Sequence, residues 1–75
     1  MSIDFNALLT VEDKQSILSQ RLKNYAAEAY QINLNTDALK LDTENNVDAI
    51  AESEKALTNL ANAINVYQKE LDSLA

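Results

Sequence analysis

Five carboxylates, Asp42, Glu44, Asp48, Glu52 and Glu54, stand close together with no Lys or Arg between them. They are the densest group of chemically able side chains in the sequence. Carboxylates can do acid–base work, hold a cation or present negative charge. Acid–base catalysis needs a carboxyl displaced from its ordinary pKa by burial or by a like-charged neighbour. These five fall where an exposed helix face is expected. A Ca²⁺ loop of the EF-hand kind needs Asp and Asn spaced about a central Gly, and the chain has no Gly. Acids at the start of a helix complement its dipole and keep a small bundle soluble, so solvation is the first reading of the cluster. The functional reading makes Asp42, Glu44, Asp48 and Glu52 a negative patch for a basic groove. The chain would then be a small acidic inhibitor of a nucleic-acid-binding effector, such as a host-defence protein.

The rest of the chemical inventory is thin. The sequence has no His and no Cys, so a Ser nucleophile would lack a base and a thiolate or imidazole metal site cannot form. No Gly-rich turn exists to cradle a phosphate or expose a nucleophile. No catalytic residue, cofactor, metal ion or small-molecule substrate is expected, and the chain does not read as an enzyme. A net charge of −6 and a pI near 4.3 disfavour direct binding to nucleic acid and docking on anionic membranes. Apolar runs of two or three residues do not span a bilayer. Met1 to Thr10 carries Asp4 where a signal peptide would carry positive charge. A protein partner and a cytoplasmic site of synthesis are the expectations.

The elements that position these residues are helices. The chain has 75 residues with no Pro, Gly or Cys, so nothing breaks a helix and no disulfide staples the fold. From Thr10, Leu18, Leu22, Tyr25, Ala29, Ile32, Thr36 and Leu39 recur at alternating spacings of four and three. That is a heptad stripe. Thr10-Val11-Glu12-Asp13 approximates a capping box. Asp42, Thr43, Asn45 and Asn46 compete with the backbone for local hydrogen bonds and mark a break. A second stripe follows: Ile50, Ser53, Leu57, Leu60, Ile64, Tyr67, Leu71 and Leu74. Ala49, Ala56 and Ala63 lie on one side of it, Val47 and Ala61 on the other. The reading is an all-α, coiled-coil-like antiparallel hairpin: an arm over residues 1–9, a helix over about 11–40, a turn near 41–45 and a helix over about 45–74. A weak point at Asn33, Asn35 and Thr36 predicts fraying of the first helix, and one uninterrupted helix is the competing arrangement. Thr36 and Ser53 interrupt the stripes as register devices or as positions where water enters near the turn. Tyr25 and Tyr67 read as core, with hydroxyls at its edge.

Two helices meeting along one seam bury one narrow stripe, and a small two-helix core does not offset the entropy of ordering the chain. The second helix has a broad apolar face. The first carries Tyr30, Leu34 and Leu41 away from its main stripe. Tyr is frequent at interface hot spots, which makes Tyr30 a candidate anchor. In the arm, Ile3, Phe5 and Leu8 either cover the open end of the core or dock on another chain, with Ser2 or Asp4 capping a short turn. These features predict a structural or interaction protein that self-associates or docks on a larger assembly. A dimeric four-helix bundle is the simplest closed form, and a parallel coil or a trimer also suits the Ile and Leu pattern.

The opening Phe5-Asn6-Ala7-Leu8-Leu9-Thr10-Val11-Glu12-Asp13-Lys14 resembles the N-termini of small bacteriophage proteins of the tail or fibre region. These begin with a short hydrophobic turn and a Leu-Thr-x-Glu-Asp-Lys helix start. The resemblance implies a virion component or accessory protein, found in the host cytoplasm or the virion, and it carries over no catalytic residue.

Overall fold

A computed structural model describes residues 3–75; Ser2, one of the two candidate caps, lies outside them. Two helices, α1 (Val11–Leu39) and α2 (Val47–Ser73), pack antiparallel. A 3-10 turn over Phe5–Leu8 precedes α1, and another over Lys40–Asp42 continues it. No strand occurs among the described residues. The hairpin is a rod of 56 × 27 × 15 Å with a radius of gyration of 17.2 Å. A compact domain of this length would have about 11 Å.

Local chemistry sets each boundary. Thr10 takes an extended conformation, and its hydroxyl accepts from the Asp13 N–H at 3.0 Å. The Asp13 carboxylate accepts from the Thr10 N–H at 3.0 Å. Two otherwise unpaired donors are thereby satisfied, with Asp in the place usually held by Glu or Gln. Asp4 does the same on a smaller scale for the arm, accepting from the Asn6 N–H at 3.0 Å. The predicted weak point does not fray. α1 runs through Asn33, Asn35 and Thr36, because seam packing outweighs their modest helix propensity. The Thr36 hydroxyl folds back and donates to the Ile32 carbonyl at 2.8 Å.

The chain reverses with no residue at positive φ. Helices usually end on a left-handed Gly that satisfies the last carbonyls. Here polar side chains do that work. The Thr43 hydroxyl donates to the Lys40 carbonyl at 3.1 Å, and the Asn46 amide donates to the Leu39 carbonyl at 3.0 Å, seven residues back. Asn45 donates to the Asp42 carboxylate at 2.8 Å, which stiffens the turn. This explains why α2 starts at Val47 rather than near residue 45. Asn46 occupies its cap position, but the Asn46 side chain is committed to the end of α1 and makes no capping bond to α2. The uninterrupted helix is excluded by the same bonds.

The stripes meet as the heptads require. Among the α1 stripe residues, Leu18 and Thr36 are buried, and Leu22, Tyr25, Ala29, Ile32 and Leu39 are half-buried. In α2, Ile50 is buried, and Ser53, Leu57, Leu60, Ile64, Tyr67, Leu71 and Leu74 are half-buried. Ala56 and Ala63 join this face, whereas Ala49 and Ala61 are exposed. Thr36, only 2% exposed, is the most buried of the described residues, so it does not mark an entry point for water.

Candidate interaction surface

Val11, Ile17, Val47 and Val66 apart, the large exposed apolar side chains lie in two places. The first is the arm. Asp4 caps a single turn, and the side chains it carries face solvent: Phe5 is 72% and Leu8 70% exposed, and Ile3 is exposed as well. The arm therefore does not seal the open end of the core, which answers one of the two sequence-based readings. It leaves an open hollow of about 330 Å³ between Asn6, Leu9, Lys14, Ile17, Glu70, Ser73 and Leu74. Leu9 and Leu74 line its apolar side and Lys14 and Glu70 its polar side. A shallower depression along α1 is lined by Ser16, Ile17, Gln20, Arg21 and Asn24. All five belong to one helix, so nothing encloses it.

The second place is the outer face of α1. Tyr30 and Leu34, one turn apart, stand 67% and 49% exposed. Leu41, in the 3-10 continuation, is 89% exposed. They occupy heptad positions opposite the seam, so α2 cannot reach them. Ala27 and Ala38 are exposed on the same face. Sequence reasoning singled out the three large residues but not the two alanines that link them into one stripe. The signal was available in the three- and four-residue spacings.

The acidic residues gather at the turn end. Asp42, Glu44, Asp48 and Glu52 are all exposed. Asp42 accepts from Asn45, and Glu54 forms an exposed ion pair with Lys40 at 3.4 Å. Among the described residues no three acidic side chains converge to hold a metal ion. Asp48 lies in the first turn of α2, where the helix dipole favours an anion.

One cluster was not anticipated. The Arg21 guanidinium lies 5.4 Å from the centre of the Tyr67 ring and donates to its hydroxyl at 3.4 Å. Tyr67 in turn stacks on Tyr25 with ring centres 5.8 Å apart. The bond to Tyr67 raises the Arg21 pKa above its already high ordinary value, so the group stays cationic throughout. Arg21 lies four residues before Tyr25 and flanks the stripe, which was the missed sign. The cluster joins α1 to α2 near the open end.

The fold and surface define a two-helix hairpin with an exposed apolar face. No described helix is long and apolar enough to cross a membrane. The chain matches no protein-family model, and comparison with curated proteins and with solved structures finds no match.

Proposed function

We propose that this protein is a structural or interaction module that self-associates or docks on a larger protein assembly. The observation that carries the reading is the area left uncovered. The hairpin exposes 5927 Å², where a compact monomer of 8.3 kDa exposes about 4,600 Å². The excess of about 1,300 Å² is comparable to what a specific protein–protein contact removes from water. Much of it is apolar and ordered on helices, at Tyr30, Leu34, Leu41 and Val47 and in the arm at Phe5 and Leu8. A preformed helical face binds with little further ordering cost. The resemblance of Phe5–Lys14 to phage tail-region proteins supports a virion or assembly role. Asp42, Glu44, Asp48 and Glu52 would keep the turn end solvated and bias it toward basic partners.

Sedimentation velocity across a wide concentration range, combined with capture of partners from the source organism, tests this. The expected result is concentration-dependent association or a specific captured partner, lost in the Leu34→Ser or Phe5→Ser variant. A concentration-independent monomer whose Leu34→Ser and Phe5→Ser variants behave as wild type in every capture would refute it.

A further inference from the structure

The apolar face of α1 is symmetric about Leu34. Ala27, Tyr30, Leu34, Ala38 and Leu41 are spaced three, four, four and three residues apart. Reversal of the helix about Leu34 therefore carries each apolar position onto another. Ala27 exchanges with Leu41, Tyr30 with Ala38, and Leu34 with itself. The exchanges of Ala27 with Leu41 and of Tyr30 with Ala38 each set a large side chain level with a small one, the alternation that lets two faces interdigitate, and the two Leu34 side chains meet on the axis. An isologous two-fold contact requires this kind of self-complementarity. A partner of unrelated sequence does not.

Charge points the same way. The turn half of the hairpin (residues 26–61) holds seven carboxylates and two lysines. The open half holds five carboxylates and four cations, Lys14, Arg21, Lys23 and Lys69. A parallel pair would set two acidic turn ends side by side, which is repulsive. An antiparallel pair sets each acidic end beside the end that holds most of the cations. With the axis at Leu34, Lys23 comes level with the partner's Asn45, next to Glu44.

We propose that the occupant of this face is a second copy of the chain, packed α1 against α1 in an antiparallel two-fold dimer centred on Leu34. This rests on the interaction reading above and specifies its partner. The two α2 helices lie on the outside, so the four helices form a row rather than the closed bundle that the stripes alone would suggest. The stripe is ~21 Å long at 1.5 Å per residue. A contact one helix wide and of that length lies at the small end of specific interfaces, so the dimer dissociates on dilution.

The native chain has no Cys, so single-cysteine variants report contacts without background. Oxidised Leu34→Cys should cross-link to itself, since the two Cα atoms of facing helices fall within disulfide reach. Ala27→Cys and Leu41→Cys should each stay uncross-linked alone and form a mixed disulfide when combined. Val66→Cys, 62% exposed on the outer side of α2, gives the collisional background. Leu34→Glu should weaken dimerisation more than tenfold while circular dichroism keeps its helical signal, because the α1–α2 seam does not use Leu34. A wild-type chain that stays monomeric to about 500 µM, or a dimer unaffected by Leu34→Glu, would overturn the proposal. So would Ala27→Cys cross-linking to itself as strongly as Leu34→Cys, which marks a parallel pair. The first of these leaves docking on another protein standing and the other two leave self-association standing, so the broader reading falls only by its own test.

Discussion

Replacement of Asn46 by Asp separates two jobs that one position could do. Asp is as good a helix N-cap as Asn, and Asn46 stands at the cap of α2. Sequence logic alone would rate Asn46→Asp as neutral or mildly favourable. In the structure the Asn46 amide donates to the Leu39 carbonyl at 3.0 Å in a half-buried setting. A carboxylate cannot donate. The exchange removes that bond and aims an anion at the negative end of α1. The lost bond costs about 1 kcal/mol. Facing the helix C-terminus adds about 0.5–1 kcal/mol, and the N-terminus of α2 returns about 0.3–1 kcal/mol. The expected net loss is about 0.5–1.7 kcal/mol at neutral pH. The negative end of α1 and the Leu39 carbonyl, which only a protonated carboxyl can bond, raise the carboxyl pKa in the folded state above its unfolded value. A folded pKa raised above the unfolded one means that the native state holds the proton more tightly, so stability rises as pH falls through that window. The deficit against wild type should therefore shrink between about pH 6 and pH 4. Urea denaturation of both proteins at fixed concentration and at several pH values measures it. Equal stability at neutral pH, or a deficit that grows on acidification, would refute the account of how this Gly-free turn is closed.

Further outcomes follow from the packing. Thr36→Val should lie within about 0.5 kcal/mol of wild type or slightly above it, because the hydroxyl serves only the local Ile32 carbonyl and a buried methyl replaces it; a loss beyond 1 kcal/mol in chemical denaturation would mean that the hydroxyl bonds across the seam. Leu18→Ala and Ile50→Ala truncate the two buried apolar side chains of the seam and should each cost about 2–3 kcal/mol, against less than about 0.5 for Val66→Ala. Thr10→Ala removes the hydroxyl half of the capping box, leaving the backbone N–H of residue 10 to donate to Asp13, and should cost about 1 kcal/mol, with hydrogen exchange accelerated over the first turn of α1 and unchanged at Ile50. Glu54→Gln should change the melting temperature by no more than a degree or two, since the Lys40 pair is exposed and such pairs contribute little; a large drop would show that the pair is needed for register.

Spacing made the seam legible, and local chemistry decided the rest. Leu18, Leu22, Tyr25, Ile32, Ile50, Leu57, Ile64 and Tyr67 could be assigned from period alone, because a heptad stripe tolerates one facing surface and no other. The interruption at Thr36 was misleading in polarity but not in place. A Thr whose hydroxyl bonds back to residue i−4 presents its methyl to the seam, so burial there costs little. The start of α2 could not be read from composition. Asp42, Thr43, Asn45 and Asn46 are all competent caps, and which one caps depends on which side chain reaches Leu39, a contact that exists only after the chain has reversed. Arg21 was hidden for a related reason: its place four residues before Tyr25 marks only a neighbour on α1, and its ring partner Tyr67 is 46 residues away.

The outer surface shows the same division between pattern and geometry, and it bears on what the hairpin is for. A solvent-facing helix side needs only polar residues, and α1 supplies them at Gln20, Lys23, Asn24 and Gln31. Tyr30, Leu34 and Leu41 serve no purpose in the seam, because the positions opposite α2 cannot turn toward it. Single exposed apolar residues need no explanation. A run joined by Ala27 and Ala38 at three- and four-residue spacing is a surface, and in water such a surface favours being covered. The two-helix core is open along its length, with most stripe residues only half-buried, so stability and association draw on the same uncovered area. Substitutions in the seam and on the outer face of α1 should therefore be coupled in a dimer and independent in a monomer. A double-mutant cycle between Leu18→Ala and Leu34→Ser reads that difference directly. Measured above the dissociation constant, the outer-face change should lower stability by the binding contribution it removes, and below it the two effects should reduce to the seam term alone. Identical cycles at both concentrations would show that the outer stripe is covered by nothing this chain provides.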